Sequence, residues 1–73
     1  MSTHEVRAEM LGTVVAVDCA PGAAVDEGAQ LLVIESMKME CPVLAPTAGA
    51  IANVNVVVGD VVNESQVLIV IRS

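Results

Sequence analysis

A chain of 73 residues makes one small domain, near the lower limit at which a hydrophobic core sustains itself. It is 55% hydrophobic yet has no Phe, Tyr or Trp. Its core must therefore come from Val, Ile, Leu, Ala and Met, and the lack of rings argues against nucleic-acid binding by base stacking. Nine acids against three bases leave a net charge of −6, which repels phosphate backbones and anionic membrane surfaces.

Residues 1–4 read as a polar, frayed prefix without a signal-peptide pattern. Glu5 to Met10 alternates polar and apolar with period two, the mark of a half-buried strand. A Val-rich strand follows Gly12, from Thr13 to Asp18, and Pro21-Gly22 signals a turn. A short extended segment is expected around Val25, then a polar break at Asp26-Glu27-Gly28. Leu31 to Glu35 and Met39 to Leu44 read as two strands of a hairpin whose tip falls at Met37-Lys38. Pro42 has no N–H for a ladder, so the second of these belongs at a sheet edge or bulge. No segment has a helical period, and no apolar run reaches the roughly 18 residues that span a bilayer. A soluble, cytoplasmic protein is expected. Cys19 and Cys41 lie in or beside apolar segments, without metal-ligand spacing to each other or to His4. They read as buried, unpaired thiols of a reducing compartment.

The second half repeats the first. A shift of 37 residues sets Gly12 on Gly49, Val17 on Val54, Gly22 on Gly59, Val25 on Val62, Glu27 on Glu64, Leu31 on Leu68 and Ile34 on Ile71. Two copies of a strand–turn–strand unit can bury their apolar faces only against each other. The expected fold is all-β, a flattened barrel or sandwich of two four-stranded sheets with a quasi-twofold repeat. Pairing within it also covers Val67 to Ile71, an aggregation hazard as a free edge. The point equivalent to the hairpin tip falls at the termini, so one copy alone presents an amine.

Lys38 is the only lysine. It sits at a turn rather than along a strand, between two methionines that are costly to expose and soft enough to mould to another protein. A two-residue primed turn requires φ > 0, which neither Met nor Lys adopts cheaply. Such strain points to presentation of the amine. Glu35 and Glu40 can keep the tip soluble, and Ser36 is a common kind of turn shoulder.

Glu35-Ser36-Met37-Lys38-Met39-Glu40 resembles the attachment motif of biotinyl domains, whose hallmark is Met-Lys-Met with biotin in amide linkage to the lysine. The resemblance extends over Met10 with Gly12-Thr13-Val14, then Gly22, Val25 and Gly28, and on to Ala45-Pro46, Gly49 and Gly59-Asp60. Lipoyl domains typically carry Asp-Lys-Ala at this hairpin, and neither neighbour matches here. The similarity is strongest to small biotin/lipoyl attachment proteins, with residues 1–73 as a single biotinyl domain. There are departures: Glu9 and Leu11 flank Met10 where many members have proline, Ser65 stands where a turn glycine is common, and Ala23 where Asp often follows glycine. The loop from Cys19 to Ala24 is too short for the protruding thumb of some carriers. A start at Met1 with a short polar prefix favours a free-standing chain, although an excised domain with an added methionine would look the same.

The resemblance implies a carrier without catalytic machinery of its own. Lys38 would take biotin from a biotin protein ligase through an activated biotinyl adenylate. It would then move carboxyl groups between a biotin carboxylase and a carboxyltransferase, with Met37, Met39, Ser36, Glu35 and Glu40 as the recognition surface. A free lysine amine, with a pKa near 10.4, is neutral in only about one molecule in 2,500 at pH 7, so the ligase must supply the deprotonation. No metal, nucleic acid or membrane partner is expected, and the chain alone should be monomeric. Two alternatives remain open: a lipoyl carrier for a 2-oxoacid dehydrogenase or glycine-cleavage system, and an unmodified adaptor.

Overall fold

Short Val- and Ile-rich runs separated by glycine, proline and acidic turns form eight strands in the computed structural model, which describes residues 2–73. They are β1 (Thr3–Arg7), β2 (Gly12–Val17), β3 (Ala24–Val25), β4 (Gln30–Ser36), β5 (Met39–Leu44), β6 (Gly49–Val54), β7 (Val61–Val62) and β8 (Val67–Arg72). Two antiparallel four-stranded sheets result, in the orders β1-β8-β6-β3 and β5-β4-β2-β7. There is no helix among the described residues. The two orders are the same pattern displaced by the 37-residue repeat, and each sheet draws strands from both halves of the chain.

The interior repeats in the same register. Val14 and Ile51, Leu31 and Leu68, Leu32 and Ile69, and Ile34 and Ile71 are all fully or almost fully buried. Ala8 and Ala45 also match. Two consecutive leucines can both face inward because a bulge falls at Leu31, and its equivalent falls at Leu68. Loop hydrogen bonds come in matched pairs as well. The N–H of Gly28 donates to the Ala45 carbonyl and that of Ser65 to the Ala8 carbonyl, at 2.8 and 2.7 Å. Gly12 and Gly49 permit equally close strand crossings: a Cβ there would stand 2.6 Å from the Glu35 carbonyl oxygen and 2.5 Å from that of Arg72.

Three expectations need correction. The first strand is Thr3–Arg7 rather than Glu5–Met10, because β8 begins at Val67 opposite Arg7 and the ladder has no partner beyond it. Ala8 then turns into the core, with its N–H on the Gln66 carbonyl at 2.9 Å. Thr3 and His4 consequently belong to a strand instead of a frayed prefix, while residue 1 lies outside the described residues. Cys19 and Cys41 are free, as read, but half-buried rather than buried. Pro42 sits on an edge strand, as read, in regular register with Val33; the bulge of β4 falls at Leu31, between the pairings with Leu44 and Val43.

Candidate functional site

β4 and β5 are paired to their last residues, Ser36 opposite Met39, so only Met37 and Lys38 are left for the turn. Both adopt left-handed backbone, with φ of 52° and 66°. This is the primed geometry that the twist of a two-residue hairpin demands, here made without glycine or asparagine. Each such residue costs about 1–2 kcal/mol relative to ordinary backbone. Of the three non-glycine residues with this backbone among those described, two fall at the turn that carries the amine and the third is Ser65.

The side chains at the tip are open to solvent. Met37 is 93% exposed, Met39 67%, and Lys38 lies in the exposed class. The one ion pair among the described residues joins Arg7 to Glu5, so the Lys38 amine is unpaired. Below the tip, Glu35 and Glu40 stand directly opposite each other, both exposed. Like charges in that relation are destabilising. All six residues read from the sequence as the site are therefore gathered on this hairpin.

The structure adds Leu11, which the motif did not single out. The Ser36 hydroxyl donates to the Leu11 carbonyl at 2.9 Å and ties the β1–β2 loop to the hairpin shoulder. Leu11 itself remains 60% exposed. Its signal in the sequence was the replacement of proline beside Met10, which reveals the difference but not the tether. Ser36 thus has a definite structural bond, more than a generic turn shoulder.

Other chemistry-bearing groups are spent on structure. Burial first, and then the neighbouring Asp18 carboxylate, push the Cys19 thiol up from its ordinary value of 9.0. Its repeat equivalent is the buried Val56, so the thiol serves as a small apolar side chain. No cluster of His, Cys, Asp and Glu among the described residues could hold a metal ion. A groove of about 450 Å³ runs between β1 and β5 past Arg7, Val43 and Pro46, at the end of β5 remote from Lys38. No described helix is long and apolar enough to cross a membrane.

An exposed, unpaired primary amine on a strained tip is suited to acylation and to carrying an acyl group in solvent. Comparison with known proteins points the same way. The family model described as "Biotin-requiring enzyme", covering biotin and lipoyl attachment, matches residues 4–71. The chain is 43% identical over 68 residues to the biotinylated protein TB7.3 homolog of Mycobacterium leprae, spanning 93% of this chain and 96% of that one. It is 42% identical over 64 residues to the human mitochondrial propionyl-CoA carboxylase alpha chain, covering 88% of this chain but 9% of the carboxylase. Among solved structures, a single-chain, multi-domain long-chain acyl-CoA carboxylase superposes with a TM-score of 0.90 at 40% identity, over 97% of this chain and 7% of the enzyme.

Proposed function

Because this chain belongs to the biotin/lipoyl attachment family, we propose that Lys38 is its point of biotin attachment and that residues 1–73 work as one monomeric carrier unit. The domain is a biotin carboxyl carrier, not a catalyst. The observation that carries the assignment of the residue is the unpaired Lys38 amine, flanked by exposed Met37 and Met39 on a primed turn.

The tip fits the group it would hold. Nothing needs to be displaced for the amine to form an amide, and the side chain stands clear of the barrel. In the loading step, Lys38 Nζ attacks the carbonyl carbon of biotinyl adenylate. An N–C bond forms, the C–O bond to the phosphate breaks, AMP leaves, and the amine proton passes to a base on the ligase. Biotin attached there supplies a ureido nitrogen able to accept and release a carboxyl group. The chain's own part is mechanical. The paired strands and matched core keep the barrel stiff, and the lysine stem provides a mobile arm whose tethering raises the local concentration of cargo. The partners proposed are a biotin protein ligase, a biotin carboxylase and a carboxyltransferase, acting in the cytoplasm, where Cys19 and Cys41 would stay reduced.

Co-expression with a biotin protein ligase, followed by streptavidin capture, tests this reading. The wild type should be captured and Lys38→Arg should not, with one biotinyl addition on Lys38 by mass spectrometry. Failure to capture the wild type, capture of Lys38→Arg, or a lipoyl mass on Lys38 in the native host would overturn it.

A further inference from the structure

The quasi-twofold repeat supplies an internal control for what the surface is for. Across the outer face of the hairpin sheet, one step below the tip, the register aligns Glu40, Glu35, Thr13 and Val61 in one row. Residues directly opposite one another share a face. The equivalent row of the other sheet is Thr3, Arg72, Ala50 and Ala24. Interiors match between the two halves, but these two rows do not. One carries paired carboxylates and a valine that is 66% exposed; the other carries an arginine and alanines.

Nothing in the fold rewards the first row. Glu35 and Glu40 repel each other and have no ion-pair partner among the described residues. Val61 leaves apolar surface in water, as does Val15, the bulge residue of β2. We propose that this row is the docking face for the biotin protein ligase, extending recognition from the hairpin to Val61 on β7, in the other half of the chain. The inference rests on the carrier reading above.

Charge and reach select the ligase as occupant. An enzyme that holds an acyl adenylate must surround its phosphate with cationic groups. During loading, the Lys38 amine itself has to reach the adenylate carbonyl, so only a four-carbon stem separates the barrel from that basic surface. The Glu35–Glu40 pair is then carried against it, and the face that continues from the pair, through Thr13 to Val61, lies alongside. At later stations the arm is lengthened by biotin's own acyl chain, which holds the barrel farther off. Removal of the two carboxylates from water beside cations turns a like-charge cost in the free domain into attraction in the complex.

The test compares Val61→Lys with its repeat equivalent Ala24→Lys, using purified full-length chain and ligase. Both positions lie on two-residue strands, and matching far-UV circular dichroism and urea midpoints establish that each variant is folded. Val61→Lys should raise the ligase KM for the carrier at least tenfold with kcat little changed. It should also weaken binding to a ligase loaded with a non-hydrolysable adenylate analogue by a similar factor. Ala24→Lys should leave both values within twofold of wild type, and Val61→Ile should retain wild-type loading. Wild-type KM and binding for Val61→Lys, or equal losses in the two lysine variants, would overturn the proposal. Failure of the wild type to be biotinylated would instead defeat the carrier reading on which it rests.

Discussion

The turn at Met37-Lys38 sets stability and recognition against each other, and a pair of substitutions at Met37 separates them. At φ 52° a side chain costs about 1–2 kcal/mol. Glycine escapes that cost but returns about 0.5–1 kcal/mol through the greater freedom of its unfolded chain. Since Met37 is almost wholly exposed, its truncation removes no packing. Met37→Gly should therefore stabilise the domain by about 0.5–1 kcal/mol, whereas Met37→Ala, which keeps Cβ, should stay within about 0.5 kcal/mol of wild type. Urea unfolding followed by far-UV circular dichroism is the suitable assay, because the chain has no aromatic residue to report by fluorescence. With an m-value of about 1 kcal/mol/M, the Gly variant's midpoint should rise by about 0.5–1 M. Both variants should be loaded less efficiently by the ligase, as each loses the thioether. If Met37→Gly were no more stable than Met37→Ala, the turn would hold no strain, and the link between strain and presentation of Lys38 would fail.

The repeat provides two further tests. Ser65, at φ 71°, occupies the position equivalent to Gly28 at φ 87°. Ser65→Gly should raise stability by about 0.5–1 kcal/mol and Gly28→Ala should lower it by about 1 kcal/mol, both by urea midpoint. Apart from Gly28 itself and its two chain neighbours, no heavy atom lies within 4 Å of where its Cβ would stand, so a larger loss would contradict a purely backbone cause. Cys19 gives a pH dependence. Its thiol is raised in the folded chain, so its stabilisation is complete below the ordinary value of 9.0 and is lost as pH rises through the raised one. Unfolding midpoints should fall in that alkaline window for wild type and hold steadier for Cys19→Val; parallel profiles would clear the thiol of responsibility.

The architecture was legible because its signals are local or periodic. Met37-Lys38 was bounded by apolar runs on both sides, and the 37-residue shift aligned glycines, acids and core residues without a gap. The first strand was misplaced because alternation continues through Met10 while its partner strand does not reach that far. Wrapping the repeat past the termini would have located it: β5, Met39–Leu44, displaced by one period falls on residues 2–7, which include all of β1. Leu11 and Val61 were invisible for a different reason. Their significance depends on which strands lie side by side, and an exposed Leu or Val has no distinct pattern in one dimension.

A duplicated scaffold has two equivalent ends, and the single lysine of the sequence stands at one of them. Where the other tip would fall, the Ser73 N–H donates to the Ser2 carbonyl at 2.9 Å, and the two serine hydroxyls lie 3.1 Å apart. His4 Nε2 also meets the Ser73 hydroxyl at 3.1 Å. Hydrogen bonds between Ser2, His4 and Ser73 join the ladder there, and the left-handed residues among those described all lie elsewhere. At the Lys38 end the same ladder ends in two strained residues above a repelling pair of carboxylates. Both costs fall on one end of a molecule whose most deeply buried residues, Val14, Leu31, Leu32 and Ile34 with Ile51, Leu68, Ile69 and Ile71, recur in both halves, so the core does not account for them. Locally unfavourable features that persist on a well-determined frame are expected where a partner acts. By that reasoning the symmetric interior accounts for stability, and the departures from symmetry on the surface mark the end that enzymes handle.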